Sequence, residues 1–248
     1  MDSMYEILLG LPIFAGVSHQ KISDVVGKYK FHFLKFNPGD TIVSEGELCT
    51  HMKCVITGSV KLSTVTPNGK LTVEQTISAP DLITPDFFFG RTTHYPASVK
   101  AIDNVGILQL DKKDFINIIN SDKIFLLNYL NILSMNAQLS MEGVLSLTSG
   151  ELEKRIAYGI IALTQNNGKD IRIKGKLCDL QAALGVNEQQ LRLALNTLTG
   201  HGIITFSKDE VSVLNRRELM NFFICWIHPP QMHKFQLITT NINLNFVI

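Results

Sequence analysis

The sequence predicts an α+β protein with an N-terminal antiparallel β-roll, a long dimerisation helix and a C-terminal winged helix-turn-helix. Three observations lead to this prediction. Turn signals recur at short spacing between residues 31 and 110, apolar residues follow a heptad pattern between 121 and 147, and two short helical patterns meet at Gly185. The predicted boundaries are 1–120 for the roll, 121–148 for the dimerisation helix, 149–220 for the winged domain and 221–248 for an apolar tail without an assigned role.

Composition sets the class of protein. The chain has 248 residues, 45% hydrophobic and 18% charged, so it can bury sizeable cores and is not a disordered chain. Its formal net charge of +1 does not by itself favour a nucleic-acid partner, although a local basic patch is sufficient for phosphate contacts. Four scattered cysteines argue against a disulfide scaffold. Without a signal-peptide pattern or an apolar run of roughly 20 residues, we predict a cytoplasmic protein with no membrane contact.

Short alternating segments between turns indicate the β-roll. Closely spaced strands of this kind are typical of an antiparallel sandwich or barrel. A helix with Ser18 as its N-cap is predicted before them, ending at Lys28. The turn signals lie at 37–40, 44–46, 57–58 and 67–70.

A long helix is predicted after the roll. Asp111 can cap a short helix that ends at Asn120, and the long helix follows from 121 to 147. Its apolar residues alternate spacings of four and three, as in a helix that pairs with a second helix. Packing on the chain's own roll is the alternative, but the helix exceeds the average of about 12 residues in globular proteins. The predicted dimer residues are Leu126, Leu130, Leu133, Ala137 and Val144.

Residues 177–204 combine two short helical patterns, a tight turn and a run into a strand. Gly185 can adopt the positive φ that the turn requires, and Asn187 stands where a helix N-cap belongs. This order predicts a helix-turn-helix, whose second helix enters the major groove of DNA. A plain helical hairpin is the alternative, since Gln181 stands where such motifs usually have Ala or Gly. A strand at 171–173 and a hairpin, the wing, at 203–213 flank the motif.

The outward face of the second helix carries side chains that can read bases. Arginine can bind guanine, glutamine or asparagine can bind adenine, and glutamate can accept from cytosine. The candidate DNA-binding residues on this helix and its cap are Asn187, Glu188, Gln189, Arg192 and Asn196. The candidate phosphate contacts are Lys174, Lys176, His201 and Lys208.

From about residue 11 to residue 219 the chain resembles the CRP/FNR family of bacterial transcription regulators. Residues 11–17, LPIFAGV, are similar to that family's opening PLFAGL, and residues 36–46, FNPGDTIVSEG, to its FxxGexIfxeGd. Residues 55–62, VITGSVKL, are similar to its ilxGxvkv. The resemblance implies a cupin-like β-roll that senses an effector, a homodimer, double-stranded DNA and RNA polymerase as partners, and no enzymatic activity. Effector binding would shift the population between DNA-competent and incompetent dimers.

The effector segment departs from the family's cyclic-nucleotide pattern. Residues 80–85, PDLITP, stand where GDxxGE belongs, and residues 94–97, HYPA, stand where the Arg-[ST]-Ala run belongs. The carboxylate for the ribose and the arginine for the cyclic phosphate are both missing, so we expect neither cAMP nor cGMP to bind. Aromatic residues in this segment suit an apolar or planar ligand, unless they simply fill the roll. The candidate pocket residues are Thr84, Phe87, Phe88, Phe89, Arg91, His94 and Tyr95.

Other readings stay open at the level of the sequence. A haem-based sensor of a gas or of nitrosative stress would use His94, or another histidine of the sensor half (His19, His32 or His51). An iron–sulfur cluster is not expected, because Cys49 and Cys54 supply only two thiolates there. A regulator without a ligand is a further alternative. We predict no catalytic and no metal site, because no phosphate loop, HExxH or GxSxG motif is present.

Overall fold

The computed structural model describes residues 4–147, 151–165 and 167–224 of the chain. Within these ranges the side chains of residues 4, 142–147, 162 and 222–224 are not described. The side chain of Val144 and the predicted tail beyond Ile224 therefore lie outside the described residues.

An antiparallel β-roll forms the N-terminal part of the chain, as predicted from the turn signals. Its strands are β1 (His32–Phe36), β2 (Thr41–Val43), β3 (His51–Thr57), β4 (Ser59–Val65), β5 (Thr72–Ser78), β6 (Asp81–Leu82), β7 (Ser98–Ala101) and β8 (Val105–Asp111). One sheet has the order β1-β8-β3-β6, and the second contains the order β5-β4-β7-β2. Strand alternation turns one face of each sheet inward, so Val60 and Leu62 of β4 are buried between partly exposed neighbours.

Two N-terminal helices close the roll. Helix α1 (Met4–Gly10) was not predicted, whereas α2 (His19–Lys28) follows the predicted cap. The Ser18 side chain accepts a hydrogen bond from the backbone N–H of Lys21. Leu8 and Ile22 from these helices are fully buried in the same core as the strands. The roll is therefore sealed by local helices that bury their apolar faces.

The long helix follows a short one. Helix α3 (Lys112–Ser121) is capped by Asp111, whose carboxylate accepts from the N–H of Asp114 at 2.7 Å, as predicted. Helix α4 (Lys123–Leu147) buries Phe125 and Tyr129 against the roll. One face of this helix therefore packs on the roll, and exposed apolar residues lie on another face.

The C-terminal part contains the predicted helix-turn-helix elements. Tight packing centres on α7, where Leu191, Ala194, Leu195 and Leu198 are buried with the spacing expected from the sequence. The elements are α5 (Leu152–Ala162), β9 (Lys169–Lys174), α6 (Leu177–Leu184), α7 (Glu188–Gly200), β10 (Ile204–Phe206), β11 (Glu210–Val213) and α8 (Arg216–Ile224). Strands β10 and β11 form the expected antiparallel hairpin.

One sheet joins the roll to the C-terminal part. Strand β9 pairs with β11 on one edge and with β5 of the roll on the other, giving the strand order β10-β11-β9-β5-β4-β7-β2. This pairing was not predicted, because the residues of β9 have the pattern of a short strand within the C-terminal domain. The orientation of the C-terminal part against the roll is therefore fixed by backbone hydrogen bonds as well as by side chains.

Candidate nucleic-acid interface and effector cavity

The turn between α6 and α7 has the predicted geometry. Gly185 lies in the left-handed region with φ 64° and ends α6. The side chain of Asn187 accepts from the N–H of Gln190 at 2.8 Å, and the Gln190 side chain accepts in return from the N–H of Asn187 at 3.1 Å. This reciprocal capping box fixes where α7 begins. Asn187 was predicted as the cap, whereas Gln190 was not predicted, although a glutamine three residues after the cap is the usual signal of a capping box.

The outward face of α7 is a continuous, shallow surface depression. Its wall is made of Glu188, Gln189, Arg192, Leu193 and Asn196. The Arg192 Nε donates to the Glu188 carboxylate at 2.8 Å, and both side chains are more than half exposed. Because this ion pair is exposed, it holds the arginine only weakly and leaves it free to exchange partners. The structure thus brings together the base-reading candidates that the helical spacing predicted.

The candidate phosphate contacts differ in their surroundings. Lys176, His201 and Lys208 are exposed. Lys174 instead lies 2.8 Å from the carboxylate of Glu74, which belongs to β5 of the roll. Burial raises the pKa of Glu74, but the hydrogen bond from Lys174 and the nearby cations outweigh it and hold that pKa below its usual value.

A cavity of about 270 Å³ lies between the roll, α4 and α5. Thr84, Phe87, Asn136 and Gln165 are among its lining residues. Thr84 has a left-handed backbone with φ 42°, which is unusual for a β-branched residue and stands where the family resemblance expects glycine. The Thr84 hydroxyl and the Gln165 amide nitrogen are buried without a hydrogen-bond partner in the described part of the chain. Unpaired buried polar atoms on a cavity wall are suited to a polar group of a ligand.

Hydrogen bonds tie the cavity wall to the long helix. Tyr129 donates its hydroxyl to the backbone oxygen of Pro85 at 3.1 Å. Asn136 donates to both carboxylate oxygens of Asp86. Although Asp86 is exposed by surface area, desolvation by neighbouring atoms raises the pKa of its carboxyl, and the hydrogen bond from Asn136 opposes this only in part.

The predicted pocket residues do not all meet at this cavity. Thr84 and Phe87 line it. The Phe88 and Phe89 rings instead contact each other, with centroids 4.9 Å apart, and both contact the Phe115 ring, at 5.3 and 6.2 Å. Phe89 also contacts the Tyr129 ring at 5.9 Å. These two rings therefore fill the roll, which is the alternative that the sequence left open.

The remaining predicted pocket residues lie elsewhere. Arg91 and His94 are exposed and do not line the cavity. Tyr95 is buried beside Lys53, whose Nζ lies 5.1 Å from the centre of its ring. The histidines proposed for a haem also do not line the cavity, and the described residues contain no group of three or more His, Cys, Asp or Glu side chains that could hold a metal ion.

A buried lysine, Lys53, was not predicted from the sequence. Lys53 of β3 is 6% exposed and lies 3.8 Å from the carboxylate of Glu47. Burial lowers the pKa of Lys53, and the charge of Glu47 opposes this shift. Burial also raises the pKa of the Cys49 thiol, with the charge of Lys53 opposing it. The burial of Lys53 beside Glu47 and Cys49 is evident only in the tertiary fold. In the sequence, Lys53 alternates with apolar residues as a solvent-facing residue of a strand would.

A row of apolar side chains on α4 faces away from the roll. Leu126, Leu130 and Ala137 are exposed, while Leu133 is half-buried against the roll core. Met141 extends the exposed row and is 62% exposed.

None of the helices in the described part of the chain has the length and the apolar character that a membrane span requires.

Comparison with known families gives one match within the roll. Residues 33–122 match the cyclic nucleotide-binding domain family. The roll is therefore similar to domains of this family, and the recognition of a cyclic nucleotide-binding-like β-roll from the sequence is confirmed. No curated protein matches the chain.

Several solved structures are similar to the chain. A transcriptional regulator from Thermotoga maritima is 24% identical, with 51% of this chain and 97% of that chain covered and a TM-score of 0.46. The catabolite activator protein of Thermus thermophilus is 20% identical, with 86% and 98% covered and a TM-score of 0.43. The sensor domain of the transcriptional regulator DNR from Pseudomonas aeruginosa is 18% identical, with 52% and 85% covered and a TM-score of 0.44.

Proposed function

We propose that the protein is a sequence-specific DNA-binding transcription regulator of the CRP/FNR type that acts as a homodimer. The observation that carries the proposal is the outward face of α7, a capped second helix of a helix-turn-helix with its base-reading side chains on one exposed surface. A face with Arg, Gln, Asn and Glu at helical spacing has the donors and acceptors that the major groove requires. No role in catalysis is proposed.

The exposed row on α4 supports the homodimer. Leu126, Leu130 and Met141 expose apolar surface on a helix whose other face already packs on the roll. A helix that is apolar on both sides is stable in water only when both sides are covered. A second copy of the same helix fits, because the exposed Leu126, Leu130 and Ala137 are spaced by four and seven residues, as in the heptad pattern of a helix pair. The twofold axis of such a dimer matches a palindromic DNA site.

The cavity supports control by a small effector other than a cyclic nucleotide. Its one ionisable lining residue in the described part of the chain is the acidic Asp86, so a phosphate would find no cation on the wall. The unpaired Thr84 hydroxyl and Gln165 amide favour a ligand with neutral hydrogen-bonding groups on an otherwise apolar body. RNA polymerase is proposed as a further partner by the family resemblance alone.

Selection of duplexes from a randomised pool, followed by binding titrations at several salt concentrations, tests the DNA-binding role. We expect a selected duplex to bind with strong salt dependence, and an Arg192→Ala variant to lose about 1–3 kcal/mol of discrimination at one base pair of each half-site. Arg91→Ala is the charge-matched control, because Arg91 is exposed on the roll. Equal binding by the wild-type protein and the Arg192→Ala variant would contradict the assignment of α7.

A further inference from the structure

Strands β5 and β9 pair in regular antiparallel register over three residue pairs, and the register shifts between Glu74 and Thr76. Thr72 lies opposite Lys174, Val73 opposite Ile173 and Glu74 opposite Arg172. Val73 is 2% exposed and packs in the same apolar core as the helices of the C-terminal part, although it belongs to the roll. A roll strand thus completes the core of the other domain.

An ion pair reinforces the contact on the solvent face of the sheet. Glu74 lies 2.8 Å from Nζ of Lys174 and 3.7 Å from Nζ of Lys61. Its side chain is only 16% exposed, and Arg172 is a further cation beside it. A partly buried carboxylate shared by several cations is held more firmly than an exposed pair.

Side chains of the roll also bind the loop before β9. Gln75 is 4% exposed, and its side-chain oxygen accepts from the backbone N–H of Gln165 at 2.8 Å. Asp81 accepts from the side-chain amide of Asn167 at 3.3 Å. A Cβ atom at Gly168 would come too close to the side-chain oxygen of Gln75, so a larger residue there would displace this hydrogen-bonded group. The loop is therefore shaped to fit the roll.

The hairpin that leads into β5 contacts the helix-turn-helix itself. Nζ of Lys70 lies 3.4 Å from the carboxylate of Asp179 in α6. Gly175 approaches the backbone oxygen of Lys70 so closely that a Cβ atom would not fit. The roll thus touches the first helix of the motif as well as the strand that precedes it.

We propose that this interdomain contact, which we call the β5–β9 clasp, is an autoinhibitory contact that holds the C-terminal domain in a form with low affinity for DNA. The inference rests on the proposed function. In the clasp, Glu74 neutralises the candidate phosphate contact Lys174 and places a carboxylate beside Arg172. DNA phosphates compete with that carboxylate for the same cations, so the closed clasp and bound DNA oppose each other.

The cavity is a place where an effector could contact the clasp. Gln75 and Gln165, which form a hydrogen bond across the clasp, both line the cavity of about 270 Å³. A ligand there contacts both halves of the clasp at once. Its affinity therefore differs between the closed and the open form, which is the condition for shifting their populations.

A reversible cross-link tests the clasp directly. Thr76 and Lys169 are register partners at the end of the paired segment, so Thr76→Cys and Lys169→Cys place two thiols across it. The exposed Cys178 and the native Cys225 are replaced by Ser in the same protein. We expect mild oxidation of the DNA-free protein to form an intrachain disulfide, detected by mass and by gel mobility without reductant.

DNA affinity is then measured for the oxidised and the reduced forms of this protein, with a duplex that the wild-type protein selects from a randomised pool. We expect the oxidised form to bind about tenfold or more weakly, within the usual range of coupling between sites, and reductant to restore binding. The two forms have the same sequence, so the cross-link alone accounts for the difference. Variants with only one of the two cysteines are the controls for thiol oxidation.

Two results overturn the inference. Absence of the disulfide would mean that the clasp does not form in solution, and unchanged or tighter DNA binding by the oxidised form would mean that it is not inhibitory. If the disulfide forms but neither the wild-type protein nor a Glu74→Gln variant, which lacks the carboxylate of the clasp, selects a duplex, the proposed function fails and the inhibitory role fails with it. That outcome is distinguishable, because the cross-link is then present without any DNA binding to inhibit.

Discussion

The side-chain nitrogen of Asn136 donates to both carboxylate oxygens of Asp86, at 2.8 Å each. This contact joins the segment that forms the cavity wall to the helix with the exposed apolar row. The cavity wall and the helix of the proposed dimer interface are therefore joined by a direct hydrogen-bonded contact. The resemblance to a known family gives no expectation for either residue.

Replacing Asn136 by Ala leaves the Asp86 carboxylate without this donor. We expect the pKa of Asp86 to rise further, and the free energy of unfolding at neutral pH to fall by about 0.5–1.5 kcal/mol. Since the raised pKa reflects a disfavoured carboxylate, the loss should shrink as the pH falls through the folded-state pKa and Asp86 becomes protonated. Urea unfolding at neutral pH and at about pH 4 measures the loss of unfolding free energy and its decrease in acid. Asn131→Ala, at an exposed position of the same helix, is the control, and an equal loss in both variants would contradict the role of Asn136.

Cyclic AMP is not expected to bind, although residues 33–122 match the cyclic nucleotide-binding domain family. The cavity offers an acid, Asp86, and no cation among its described lining residues, so the cyclic phosphate would be left without a partner. Titration calorimetry should give no saturable heat with cAMP at millimolar concentration. A saturable heat with cAMP that adenosine does not produce would show that the phosphate is recognised after all.

The exposed row on α4 predicts how the chain assembles. Leu130 is 46% exposed at the middle of the row, and a Leu130→Glu change would place a carboxylate inside a helix pair, where burial without a partner is costly. We expect sedimentation to report a dimer for the wild-type protein and a monomer for this variant. Leu214→Glu is the control, because Leu214 is 62% exposed and lies outside α4. Dimers in both variants would mean that α4 is not the interface.

Gly185 is required for its backbone conformation. Its φ of 64° is unfavourable for a residue with a Cβ atom, so Gly185→Ala should destabilise the C-terminal domain by about 1 kcal/mol. Gly200 lies in the last turn of α7 with no atom near the position of a Cβ, and there alanine should stabilise by about 0.5–1 kcal/mol. Opposite shifts of the denaturant midpoint are the expected result. Shifts of the same sign would speak against the tight turn.

The ion pair of Glu74 makes the stability of the clasp dependent on pH. Glu74→Gln should lower the free energy of unfolding at neutral pH by about 0.5–1 kcal/mol. The folded-state pKa of Glu74 is lowered, so its contribution is present above the unfolded-state pKa and is lost as the pH falls through the lower folded value. The two proteins should therefore converge in acid. Glu45→Gln, at an exposed position of the roll, is the control and should match the wild-type protein at every pH.

Much of the fold follows from local signals in the sequence. Ser18, Asp111 and Asn187 were each identified as helix caps, and each accepts the expected backbone hydrogen bond. Such caps can be predicted because the donor and acceptor lie within one turn of each other in the chain. Gly185 was predictable for the same reason, since the demand for positive φ is local. The base-reading candidates on α7 follow from helical periodicity alone.

The effector segment was predicted less well. Its aromatic residues were expected either to face a ligand or to fill the roll. The sequence could not distinguish the two positions, because a ligand pocket and a filled interior both require apolar side chains. The structure separates them, with Phe87 on the cavity wall while Phe88 and Phe89 pack against Phe115 and Tyr129. The direction of a side chain in a loop depends on contacts that are distant in sequence, and no periodicity encodes it.

The sequence by itself determined the order of the elements, the caps and turns that bound them, and the residues of the α7 face. Only the tertiary structure decided that β9 pairs with β5, that Glu74 neutralises Lys174, and that Lys53 is buried. The physical reason is that local structure depends on neighbours within a few residues. Strand pairing and charge pairing between domains join residues about a hundred positions apart, and their energy exists only after the chain has folded.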